Sequence, residues 1–149
     1  MSPAHRFMAR RLVALAAALL LAGCAAQSMH SDGLQQLNEG KVAQGLQNLR
    51  KASEMDPGNA RYRIDFLTQR ELATQAVLRR ADEARTAGRV DEAIQRYREA
   101  LQLDEGSERA QRGLMQLDDQ RKGEAAIQQA ERMLKAGLTD PARDVLRRA

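Results

Sequence analysis

The chain has 149 residues, enough for one small core behind a leader. Aromatic residues make up 3% and Trp is missing, while Ala, Leu, Gln, Glu and Arg dominate, which disfavours a strand-built fold and favours helices packed through small side chains. The formal charge of +4 points at first to nucleic acid or an anionic surface. Of the 24 basic side chains, however, Arg6, Arg10 and Arg11 precede Cys24, leaving 21 against 20 acidic ones, so no nucleic-acid partner is expected. A single cysteine leaves no internal disulfide and no cysteine-based zinc site.

In chain order, residues 1–11 carry three arginines and no acid, and residues 12–22 are continuously apolar. That run is shorter than the roughly 20 residues a bilayer span needs and has the proportions of a signal-peptide core. It ends in Leu21-Ala22-Gly23-Cys24. This motif resembles the bacterial lipoprotein signal. The resemblance implies that residues 1–23 are removed, that the Cys24 sulfur and the new amine are acylated, and that residues 24–30 form a short lipidated tether. Ala25, in place of Asp, implies sorting to the outer membrane, with the chain on its periplasmic face.

The remainder repeats. Residues 40–59 align with 88–107, with Gly40/Gly88, Val42/Val90, Gln47/Gln95, Arg50/Arg98, Ala52/Ala100, Asp56/Asp104 and Gly58/Gly106 identical, and a third copy starts at Gly137. Such a period means a stacked array of like units, about 31–59, 60–106 and 107–149. Each unit reads as a turn glycine followed by a helix. In the middle copy Val90, Ala93, Ile94, Tyr97, Ala100 and Leu101 form one apolar stripe, with Asp91 and Glu92 in the first turn and Glu92 four residues before Arg96. Asn59 is placed to cap the helix after the first copy, and Asp140-Pro141 to open the last one as cap and first residue.

The pattern resembles the tetratricopeptide repeat (TPR). It is carried by Gly40, Val42, Gly45, Leu49, Ala52 and Asp56-Pro57, by Gly88, Val90, Ala93, Tyr97, Ala100 and Asp104, and by Gly137, Ala142 and Leu146. The resemblance implies an all-α fold, antiparallel helix pairs stacked as an α-solenoid, with these residues packing the pairs. Two departures stand out. The spacing is 48 to 49 residues instead of about 34, so the first helices must be elongated. Glu105 also replaces the proline after Asp104, which predicts a less sharp turn there.

Residues 60–87 lack Gly and Pro and predict one long helix with an apolar stripe of Tyr62, Phe66, Ala73, Ala76, Val77 and Ala84. Ile64, Leu67 and Leu78 lie on another side, as in a helix sandwiched between neighbours. In the third unit Ala110, Leu114 and Leu117 are out of phase with Ile127, Ala130 and Leu134, and Gly123 lies between, predicting a kink or break near 119–124. Ala149 falls inside the second helix of that unit, leaving Val145 and Leu146 as an uncovered apolar edge, so the last unit reads as incomplete and the sequence as the front of a longer protein.

No nucleophile–base set assembles, and neither an enzyme activity, a cofactor, a metal nor a small-molecule substrate is expected. His30 reads as a tether residue. The pairs Asp82-Glu83, Asp91-Glu92 and Asp118-Asp119 read as solvated faces, and Arg147-Arg148 as a basic helix end. The TPR resemblance puts Gln75, Leu78, Asp82 and Arg85 on the groove side of the middle unit, where they do not match the Lys/Asn set of carboxylate-clamping members. The order of lipobox, brief linker and TPR units resembles the amino-terminal region of lipid-anchored secretins of type II secretion and type IV pilus systems. That implies a non-catalytic scaffold for periplasmic partners. A self-contained TPR lipoprotein assisting envelope assembly, or an accessory module of a cell-wall enzyme, are the alternatives.

Overall fold

A computed structural model of the chain describes residues 23–148. Residues 1–22, with most of the expected signal peptide and its Leu21 and Ala22, lie outside the described residues, as does Ala149. Among the described residues the protein is all-helical, with six helices packed in pairs. They are α1 (residues 23–38), α2 (Val42–Met55), α3 (Ala60–Thr86), α4 (Val90–Leu103), α5 (Glu108–Lys135) and α6 (Thr139–Arg148). The chain divides into two compact units, one up to Ala73 and one from Thr74 on, with α3 contributing its first half to one and its second half to the other.

The turn inside each pair is the same turn three times. Gly40, Gly88 and Gly137 have φ of 78°, 73° and 78°. Each follows its helix in the left-handed conformation, which costs other residues about 1–2 kcal/mol. At Gly88 the glycine N–H bonds the Arg85 carbonyl at 3.0 Å and the Arg89 N–H reaches back to Ala84 at 2.9 Å. Gly40 with Lys41, and Gly137 with Leu138, make the same two bonds to the residues three and five earlier. These six-to-one and five-to-two bonds satisfy helix carbonyls that would otherwise be orphaned, and they release the chain to start the next helix two residues later.

The turns between pairs also match. Asn59 N–H bonds the Asp56 carbonyl at 3.1 Å, and Ser107 N–H bonds that of Asp104 at 3.0 Å. The carbonyls of Pro57 and Glu105 each accept a side-chain bond from six residues on, Arg63 at 2.6 Å and Gln111 at 3.2 Å. The looser turn expected at Glu105 is therefore not found, because the four-residue turn is closed by backbone bonds that need no proline. Asn59 Oδ1 accepts from the Arg61 N–H and Ser107 Oγ from the Ala110 N–H, capping α3 and α5.

In the first unit α1 and α2 meet through glycines. A Cβ on Gly45 would stand 2.6 Å from Leu37 Cγ and 2.8 Å from the Gly33 carbonyl, so only a residue without a side chain fits. Leu46, Leu49 and Ala52 are buried beside this crossing. Ala26 and His30 are buried as well, and residues 24–30 are helical. The stretch expected as a short tether is helical, with Ala26 and His30 packed inward.

In the second unit Val77, Leu78, Ala81 and Ala84 of α3, Ala93, Tyr97 and Ala100 of α4, and Ala110 and Leu117 of α5 share one core. Leu78 and Leu117 are each 1% exposed, worth about 1.5–3 kcal/mol apiece. Gly113 lets α5 close onto the Tyr97 ring: a Cβ there would collide with Cζ. The expected break near 119–124 does not occur. Helix α5 runs unbroken through Gly123, whose backbone is hydrogen-bonded like its neighbours' and whose missing side chain leaves open space. Helix α6 starts at Thr139, so Asp140 lies in its first turn and Pro141 is the third residue, still among the positions where the missing N–H is harmless. Glu92 pairs with Arg89 at 2.7 Å, not with Arg96, which bonds Glu99 at 2.9 Å.

Candidate interaction surface

The four positions assigned to a groove do not form an open one. Leu78 is buried in the core of the second unit. Asp82 is held from two sides: Oδ1 accepts from the Tyr97 hydroxyl and Oδ2 from the Arg109 guanidinium. Arg109 also reaches Gln75 Oε1 at 3.4 Å. Arg85 acts on the Tyr97 hydroxyl from the end of α3. The face is thus a polar seam joining α3 to α4 and α5, and Asp82 is a partner in packing, not the solvated charge expected of it. Burial pushes the Asp82 carboxyl up, but the hydrogen bonds from Tyr97 and Arg109, with the charges of Arg109 and Arg85, outweigh it and hold the group below the ordinary aspartate value. Burial, seconded by the Asp82 carboxylate, pushes the Tyr97 hydroxyl up.

A second polar seam lies in the first unit. His30 Nε2 donates to Asp65 Oδ2 at 2.7 Å, its ring lies 4.7 Å from that of Tyr62, and Arg61 approaches the same carboxylate at 3.7 Å. His30 is 6% exposed, so it is a packing residue of α1 and not part of a tether. A signal for it was present in the sequence. Ala26, His30 and Gly33 occupy the places of Thr74, Leu78 and Ala81 one period later, all of them buried.

The other named residues sort by burial. Gly45, Leu49, Ala52, Ala93, Tyr97, Ala100 and Ala142 are buried and Val90 half-buried, whereas Val42 and Pro57 are exposed. Leu146 is 49% exposed. Cys24 is exposed near the described start of α1, beside exposed Gly23. Asp91 receives Arg121 from α5, and Asp118 holds Lys122 at 2.5 Å. Glu39, exposed, is kept below the usual glutamate value by hydrogen bonds from Lys41 and Gln35.

Exposed apolar side chains concentrate in two places. Ile64, Leu67 and Leu72 lie on α3 in the first unit, where a sandwiched helix was expected to bury the first two. In the second unit Ile127, Leu134, Leu138 and Leu146 lie along α5, α6 and the turn between them. Among the described residues no group of three or more His, Cys, Asp or Glu side chains could hold a metal, and no helix is long and apolar enough to cross a membrane. Chemically the surface offers carboxylates, guanidinium groups and apolar patches, which is the material of protein–protein contact. No protein-family model matches the chain, and no curated protein matches it significantly.

Proposed function

We propose that the protein is a non-catalytic TPR-like α-solenoid scaffold that binds other proteins and is anchored by lipid on Cys24 to the periplasmic face of the outer membrane. The observation that carries the scaffold reading is the recurrence of one helix-pair design. The same glycine-closed turn appears at Gly40, Gly88 and Gly137, and the same inter-pair turn at Asp56–Asn59 and Asp104–Ser107. Pairs built to one pattern stack through neighbours and leave a long face for partners. The anchor is supported by the Leu21-Ala22-Gly23-Cys24 motif behind an apolar run and by the exposure of Cys24. With acyl chains contributing about 0.8 kcal/mol per buried CH₂, such an anchor would be permanent on a cellular timescale. The partners are periplasmic or envelope proteins, with a type II secretion or type IV pilus secretin as the first candidate.

Two measurements test this. Metabolic labelling with an alkyne fatty acid should mark the wild-type chain and not Cys24→Ala, which should also accumulate as a larger, unprocessed precursor. Normal processing and membrane attachment of Cys24→Ala would sink the anchor. Affinity purification from detergent-solubilised outer membrane should recover secretion or pilus components; their absence counts against the secretin assignment while leaving the scaffold reading to the binding test below.

A further inference from the structure

Among the described residues, the second unit contains both a helix pair that is covered and one that is not, and the two are built from matching residues. Helix α5 covers the pair α3/α4. It meets there two large apolar side chains in one core, Leu78 and Tyr97, and two carboxylates, Asp82 and Asp91. What α5 presents is Arg109 to Asp82, Gly113 to the Tyr97 ring, Leu117 to the core and Arg121 to Asp91. These four residues are spaced by four, along one face of the helix.

Moving 49 residues along the sequence carries that receiving set onto α5/α6: Ile127 for Leu78, Glu131 for Asp82, Asp140 for Asp91 and Leu146 for Tyr97. The small residues that close the pair itself, Ala130 and Ala142 for Ala81 and Ala93, are buried again. The two large ones are not: Ile127 and Leu146 are 53% and 49% exposed, where Leu78 and Tyr97 are each 1%. Apolar character and negative charge thus recur in the same places, and among the described residues no helix covers them. Asp140 rests against Arg143 at 3.3 Å, an exposed pair that an incoming guanidinium replaces at little cost.

We infer that the α5/α6 face of Ile127, Glu131, Asp140 and Leu146 is a docking site for an amphipathic, arginine-bearing helix of a partner protein. The helix carries the pattern Arg-x-x-x-small-x-x-x-Leu-x-x-x-Arg and binds as α5 binds α3/α4. Charge complementarity selects it: arginines at both ends meet Glu131 and Asp140, and the small residue admits Leu146. The inference rests on the scaffold reading and gives it a partner class.

The probe is a fluorescent peptide of residues 107–122 of this chain, stapled between positions 111 and 115, which are exposed in α5. Binding to the full chain in detergent is followed by fluorescence anisotropy. Saturable binding is expected, weakened at least tenfold by Leu146→Glu or Ile127→Glu in the protein and by Arg121→Glu or Gly113→Leu in the peptide. Both protein positions are half exposed, so circular dichroism should show unchanged helicity. Absence of binding, or equal binding to both face variants, overturns the site. Self-association of the full chain in sedimentation, abolished by Leu146→Glu, would make a second copy the occupant and overturn the partner assignment. Neither result bears on Cys24 acylation, and recovery of envelope partners by the Leu146→Glu chain would reject this face alone.

Discussion

Tyr97 in α4 and Leu146 in α6 stand at matching places in consecutive helix pairs, and their surroundings could hardly differ more. Tyr97 is roofed by Gly113, tied through its hydroxyl to Asp82 and buried; Leu146 sits on the same kind of pair, over the buried Ala142, and faces outward. The difference shows that α3/α4 and α5/α6 each close their inner contact on small residues, Ala81 with Ala93 and Ala130 with Ala142. The large Tyr97 ring is sealed only where the following helix meets it, at Gly113. A pair is therefore a folding unit only in part, and the energetics of each large residue depend on what lies beyond it.

Substitution at the two matching positions gives the sharpest contrast. Tyr97→Ala removes a buried ring and should cost about 3–5 kcal/mol in urea unfolding of the full chain, whereas Leu146→Ala should stay within about 0.5 kcal/mol. Equal losses at both would break the comparison. The next effect in size concerns the glycines of α5. Gly113→Val forces side-chain atoms into the Tyr97 ring and should lower stability by about 1–3 kcal/mol, while Gly123→Ala, in open helical space, should raise it by up to about 1 kcal/mol. Thermal melts of the two single variants decide this by their opposite signs.

The Asp82 seam, with its hydrogen bonds from Tyr97 and Arg109, adds a pH dependence. Because the folded-state value of Asp82 is depressed, its contribution is present above the unfolded value of about 3.9 and is lost as pH falls through the lower folded one. Acidification below about pH 4 should destabilise the chain, and Asp82→Asn should flatten that part of the profile at a cost of about 1 kcal/mol at neutral pH. Tyr97 works at the other end: its raised value means a contribution present below about pH 10 and lost as pH rises through the folded value. The smallest expected effect comes from Glu105→Pro. The Asp104–Ser107 turn already has the hydrogen bonds of the proline-containing Asp56–Asn59 turn, so the substitution should stabilise by about 0.4–1 kcal/mol, seen as a higher midpoint in chemical denaturation.

Much of the architecture was legible because it is written in local signals. Turn glycines 48 and 49 residues apart locate the three left-handed turns, and the lack of Gly and Pro over 60–87 locates α3. The polar residues were read less well. Asp82 looked like one more surface carboxylate, since nothing near it in sequence announces Tyr97, fifteen positions on, or Arg109, twenty-seven on. His30 looked like part of a tether because Asp65, its partner, lies thirty-five residues away. Gly123 looked like a helix break, yet a lone glycine costs an α-helix only about 1 kcal/mol and a helix of 28 residues absorbs it.

By itself the sequence determined the helices, their turns and the period, since capping, left-handed glycines and apolar spacing act within a few residues of chain. Only the tertiary structure decided which large residues are sealed and which carboxylates are occupied. Those outcomes depend on a second helix arriving at the right place: one does so for Tyr97 and Asp82, and for Leu146 the face stands exposed among the described residues.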